Sequence, residues 1–350
     1  MSLKIKLICL KSSLVALFLL FLQLAWGQTS FTGVDDFLQK NQKQLGKDAA
    51  VLVYKDGKIV YQKAMGEFFN AKTQAEVAGC SELFTAAVVL TFVDEGKISL
   101  DDPVVKYIPL FRSYMKNYVT IRQCLTHTTG IENDKGGLTK LFQKKKFATL
   151  EDEVKAIAAK EISDNPGKEF HYGSIGPTLA ARCIEVVSKK SFDRLITERI
   201  FRKLKMRSST FTNYDGNAPD PAGGAQSSGN DMINFMTMLL NKGTFEGKPV
   251  LSEASVQELL KAQPGDLPIK FIPDEVRGFQ HSVGAWVQPA DNGSKTTGIF
   301  NPSFTGTCAY IDPCRNYAAV LFVKTPVKEQ KKDFILQFKE VVDSAMGECK

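Results

Sequence analysis

A thiol, a hydroxyl and a carboxylate stand side by side at Cys80-Ser81-Glu82. They head the apolar run Leu83-Phe-Thr-Ala-Ala-Val-Val-Leu-Thr-Phe-Val93. Leu83, Ala87, Leu90 and Val93 recur at helical spacing, which predicts a helix facing a core, and Gly96 suits its C-terminal cap. A helix N-terminus lowers a thiol pKa, so Cys80 is one candidate nucleophile. Ser81 and Ser303 are two others, with Tyr172 or His127 as the assisting group. The plainer expectation is that Cys80 is buried or disulfide-bonded and that Ser81, with Phe84 three residues on, is a capping or solvent-facing hydroxyl. His127 and His171 are expected to be structural.

Metal chemistry has little to start from. There is no Cys-x-x-Cys or His-Glu-x-x-His spacing, and His127, His171 and His281 are scattered along the chain, so neither a metal site nor a cofactor is expected. The opening 27 residues read as an export signal. Lys4, Lys6 and Lys11 form a basic end, an apolar stretch covers 14–24, and Ala25-Trp26-Gly27 precedes the expected cut. That apolar stretch is short for a membrane span, and no integral span is expected after signal removal. The formal charge falls from +7 to +4 when the three lysines leave. So mild an excess excludes a nucleic-acid partner, and Lys144-Lys145-Lys146 reads as a solvated loop. Cys80, Cys124, Cys183, Cys308, Cys314 and Cys349 remain, without a pattern that selects a pairing. The oligomeric state is equally unmarked.

The elements that must position these groups follow from periodicity. Two alternating apolar runs joined at Asp56-Gly57 predict a hairpin over 49–63. Helices are expected at 150–160, 175–187, 191–202 and 228–241, and strands at 282–287, 307–311 and 317–323. A turn at 312–316 separates the last two strands. Phe334, Phe338, Val341, Val342 and Ala345 share one face of a terminal amphipathic helix. Strands at both ends around a helical middle imply an α/β (α+β) protein. One lobe is drawn from about 28–75 and 245–350, and a mostly helical lobe spans about 76–244.

The run from Glu76 to Pro103 resembles the active-site helix of serine β-lactamases and penicillin-binding proteins. Three further segments resemble the class C β-lactamase and D-alanyl-D-alanine carboxypeptidase branch. They are Leu125-Thr-His-Thr-Thr-Gly-Ile131, Ile200-Phe-Arg-Lys-Leu-Lys-Met-Arg-Ser-Ser-Thr-Phe211, and Ala222-Gly-Gly-Ala-Gln-Ser-Ser-Gly-Asn-Asp231 with the helix after it. The resemblance implies an antiparallel sheet flanked by helices, a helical lobe, and a ligand cleft between the two.

It also implies three motifs, and this chain departs from each. In Ser-x-x-Lys, Gly79 takes the serine's place and Glu82 the lysine's. The frame turns Cys80, one residue along, by about 100° away from the cleft. Glycine is tolerated as an N-cap, and the helix dipole favours Glu82 by roughly 0.3–1 kcal/mol. In Tyr-x-Asn the tyrosine is kept as Tyr172 and the asparagine has become Ser174. The Lys-Thr-Gly or His-Thr-Gly strand falls on Asn301-Pro302-Ser303, with Lys295-Thr-Thr-Gly298 as a shifted match. An exported member without acyl-transfer chemistry is therefore expected. Tyr172, Ser174 and Ser303 would remain to bind a peptide-like or cell-envelope ligand, and a hydrolase with another nucleophile is the alternative.

Overall fold

Asp56 and Gly57 both adopt positive φ, 49° and 85°. This is the backbone of a two-residue turn whose twist matches its flanking strands. It joins β1 (Ala49–Lys55) to β2 (Lys58–Met65) at the expected place. The computed structural model describes residues 30–133, 147–212, 215–263, 266–288, 298–303, 305–324 and 332–349. The segment expected to be an export signal, Lys144-Lys145-Lys146, Lys295 to Thr297 and Phe304 lie outside the described residues.

The other strands of the main sheet come from the far end of the chain. These are β3 (Gln280–His281), β4 (Trp286–Gln288), β5 (Gly298–Pro302), β6 (Cys308–Asp312) and β7 (Tyr317–Val323). All seven pair antiparallel in the order β2-β1-β7-β6-β5-β4-β3. The strand expected at 282–287 is thus two short strands around a bend. β1 and β7 have apolar residues on both sides, and the period of two sorts them between two cores. Ala49, Val51 and Val53 face one core with Ala319, Leu321 and Val323, whereas Ala50 and Leu52 face the other with Val320 and Phe322.

The first core is closed by α1 (Thr32–Lys40) and α9 (Lys332–Met346). Phe334 and Phe338 of α9 pack on Phe37 with ring centroids 5.1 and 5.7 Å apart. A disulfide between Cys314 and Cys349 ties the β6–β7 turn to the chain just beyond α9. The second core lies under the helices. α2 (Cys80–Asp94) is buried from Cys80 to Phe92, so it is a central helix and not an amphipathic one. Packed around it are α5 (Ile175–Ser188), α6 (Phe192–Ile196) with the π-turn Thr197–Phe201, α8 (Glu253–Leu260), and β5. α3 (Ile121–Leu125) and α4 (Leu150–Ala158) pack on α5, while α7 (Gly229–Leu240) lies directly on β1, β6 and β7.

Candidate active site

The chain enters α2 through two constrained residues. Ala78 has φ 40°, and Gly79 then takes helical angles (φ −54°, ψ −22°). A left-handed residue with a Cβ costs about 1–3 kcal/mol, and such residues collect at functional sites. His127 is a second one, at φ 54°.

Gly79 does not owe its place to its backbone, since φ −54° suits any residue. A Cβ built on it would meet Tyr172 Oη at 3.5 Å, Pro302 O at 3.7 Å and Ser303 Cα at 4.0 Å, all ordinary contacts. The three motif positions therefore do converge: helix N-terminus, tyrosine and strand end surround one partly exposed point. The nucleophile's space is kept and its hydroxyl is absent.

Glu82, one turn on, is 3 % exposed. His127 Nε2 lies 3.1 Å from its Oε2, and the Tyr172 hydroxyl also bonds to it. The Gly173 N–H donates to His127 Nδ1 at 3.3 Å, which leaves Nε2 as the protonated nitrogen that donates to Glu82. Burial pushes the Glu82 carboxyl above its ordinary range, and the bonds from His127 and Tyr172 only partly offset this. The mild dipole benefit expected for Glu82 is thus opposed by desolvation, the larger effect. Burial, and then the Glu82 carboxylate, push the Tyr172 phenol well up. Tyr172 is a poor proton acceptor here.

The candidate nucleophiles are all engaged. Cys80 is buried, its Sγ donates to Asn301 O at 3.3 Å, and burial pushes its thiol up to about 12. Ser81 is neither a cap nor solvent-facing: it is fully buried and its Oγ accepts from the Ala225 N–H at 3.0 Å. Ser303 Oγ is 3.0 Å from Thr305 Oγ1 and accepts from the Thr305 N–H, inside a turn closed by Ser303 N–H to Thr307 O at 2.8 Å.

The third motif position is the one the structure most changes. β5 is not an edge strand, because it lies between β4 and β6. Pro302 is accommodated because it pairs with Cys308 on one side only, past the end of β4. The buried Asn301 turns away from the Gly79 point: its Oδ1 accepts from the Trp286 N–H at 3.4 Å, and its Nδ2 has no partner. Ser174 sits at the N-cap of α5 without a capping bond, partly exposed. His171 is half-buried, and burial lowers its pKa.

One residue escaped the sequence reading. His281 of β3 is 6 % exposed, its ring centroid lies 4.8 Å from that of His127, and neither of its nitrogens has a hydrogen-bond partner. Burial and the neighbouring His127 hold it well below the ordinary histidine range, hence neutral. Glu82, His127 and His281 form a buried donor group whose ligand atoms lie within 4.8 Å of one another. This corrects the expectation of scattered, unrelated histidines. The sequence signal was slight: an imidazole between Gln280 and Ser282, just ahead of the run Val283-Gly-Ala-Trp-Val287.

The Beta-lactamase family model matches residues 35–341. A 178-residue stretch, 47% of the chain, is 31% identical to Protein flp of Staphylococcus aureus (strain MW2) and spans 35% of that protein. An alignment over 177 residues, covering 48% of the chain, is 25% identical to the D-alanyl-D-alanine-carboxypeptidase/endopeptidase AmpH of Escherichia coli (strain K12) and spans 46% of that protein. The matches thus cover less than half of these curated relatives. Among solved structures, the "putative beta-lactamase" of Bacteroides dorei DSM 17855 superposes with a TM-score of 0.80 at 25% identity, covering 91% of this chain and 99% of that one. An octameric penicillin-binding protein homologue from Pyrococcus abyssi has the same fold (TM-score 0.70, 20% identity, 88% and 76% covered).

Proposed function

Because the chain belongs to the Beta-lactamase family, we propose that it is a member that has given up covalent acyl transfer and uses the retained site to bind. One observation carries this reading: the space beside Gly79 still accepts a Cβ at 3.5–4.0 Å, yet holds no hydroxyl. Acyl transfer also needs a base. Glu82 stands in the lysine's place but is bonded to His127 and Tyr172 and raises the tyrosine's pKa, whereas an ammonium there would lower it. Loss of a catalytic serine alone lowers turnover by about 10⁶-fold in serine hydrolases.

The proposed ligand is peptide-like or derived from the cell envelope, held near Tyr172, Ser174 and the Ser303 turn. Tyr172 and Ser174 are partly exposed while Ser303 is buried, so the first two offer the polar contacts that support this class. Export through the N-terminal signal is part of the same proposal, and the Cys314–Cys349 disulfide supports it, since such bonds persist in oxidising compartments. Among the described residues no helix is long and apolar enough to cross a membrane. The alternative, a hydrolase with a different nucleophile, is disfavoured by the engagement of Cys80, Ser81 and Ser303.

The test is incubation of the purified chain with a fluorescent penicillin and a fluorophosphonate. No stoichiometric label is expected from either. A one-to-one adduct that disappears on denaturing the protein beforehand would overturn the proposal.

A further inference from the structure

We propose that Glu82, His127 and His281 form a binding site for one divalent transition-metal ion of the zinc class. The three side chains come from α2, the segment after α3, and β3, so only the tertiary fold assembles them. Two imidazoles and one carboxylate are the donor set of zinc sites that keep a fourth position open. Zinc–nitrogen and zinc–oxygen bonds of about 2.0–2.2 Å place tetrahedral donors about 3.3–3.5 Å apart. Glu82 Oε2 and His127 Nε2 are already 3.1 Å apart.

His281 supplies the second, independent observation. A buried imidazole without a partner on either nitrogen leaves a donor and an acceptor desolvated and uncompensated. The ring packs against His127, Phe170 and Trp286, and metal binding would draw it toward Glu82 and His127 within that aromatic setting. Loading has a definite structural consequence at His127. Nε2 now carries the ring proton; with a metal on Nε2 that proton moves to Nδ1, and the bond from the Gly173 N–H is given up. Tyr172, bonded to Glu82, borders the site and orients the carboxylate.

This inference is independent of the loss of acyl chemistry, because metal uptake and covalent labelling are separate measurements. The full chain, stripped with a chelator, is dialysed against zinc chloride and its metal-to-protein ratio measured by atomic emission. One zinc per chain is expected, with His281→Phe weakening uptake by at least about tenfold while circular dichroism stays unchanged. Should His281→Phe not fold, cobalt(II) bound to the unaltered chain decides, since a low-symmetry nitrogen/oxygen site gives intense visible absorption that zinc abolishes. The Gly173 amide resonance should also shift on loading. No uptake, equal uptake by the variant, or a weak octahedral cobalt spectrum displaced by nothing would overturn the site.

Discussion

The two ends of α2 each carry a glycine, and the reasons for them are opposite. At the C-terminal end Gly96 has φ 65°. Its N–H donates to Val93 O at 2.9 Å and the Lys97 N–H to Phe92 O at 3.0 Å, the paired bonds that close a helix through a left-handed residue. Arg199 grips Glu95 there with two bonds, at 2.8 and 3.0 Å, and stacks over Phe92. The last-turn carbonyls of Phe92 and Val93 are bonded locally, and Glu95 is held by a distant arginine. At the N-terminal end Gly79 has ordinary helical angles, a Cβ would fit, and a carboxyl is buried one turn on. One glycine is required by the backbone; the other stands where the backbone would accept any residue.

Restoring the chemistry at the N-terminal end is the sharpest way to break that contrast. Gly79→Ser with Glu82→Lys should convert a chain without covalent labelling into one labelled by fluorescent penicillin, a change of several orders of magnitude as read by gel fluorescence. If the double variant folds and stays unlabelled, the site has lost more than two side chains. Next in size is Glu82→Ala, which strands the His127 and Tyr172 donors. It should cost roughly 1–3 kcal/mol in urea unfolding.

Gly96→Val should cost about 1–2 kcal/mol, because a β-branched residue is forced into the left-handed region. Gly79→Ala, by contrast, should be neutral or stabilising by up to about 1 kcal/mol, since it only reduces the freedom of the unfolded chain. Equal losses at the two glycines would remove the distinction drawn between them.

The smallest effect is electrostatic. Arg199, and then Lys97, hold Glu95 down to about 2, from an ordinary value near 4.5. A depressed carboxyl stabilises the fold above its unfolded pKa, and that contribution fades as pH falls through its folded one. Glu95→Gln should therefore lower the melting temperature slightly at pH 7, by an equivalent below about 1 kcal/mol for so exposed a pair. The gap to the unaltered chain should close between about pH 4.5 and pH 2. A gap that persists at pH 2 would mean the pair acts through packing.

Much of this was legible in the residues alone. The Asp56-Gly57 turn, the helix over 80–94 with Gly96 beyond it, the strand at Tyr317–Val323 and the apolar face of the terminal helix were all expected and observed. Each is set by contacts within a few residues, where side-chain period and turn chemistry leave little freedom. The absence of a serine at position 79 and of a lysine at position 82 could likewise be read directly.

What the sequence could not settle is which distant groups share a space. It gave no reason to bring His281 against His127, to pair Cys314 with Cys349, to turn Ser81 toward Ala225, or to aim Asn301 at the Trp286 amide. Those outcomes follow from strand order and from how the helices settle on the sheet. They depend on the packing of the whole chain, so no local pattern encodes them. The residues determined that position 79 carries no side chain and position 82 a carboxyl; the fold alone decided that this carboxyl and two imidazoles would meet.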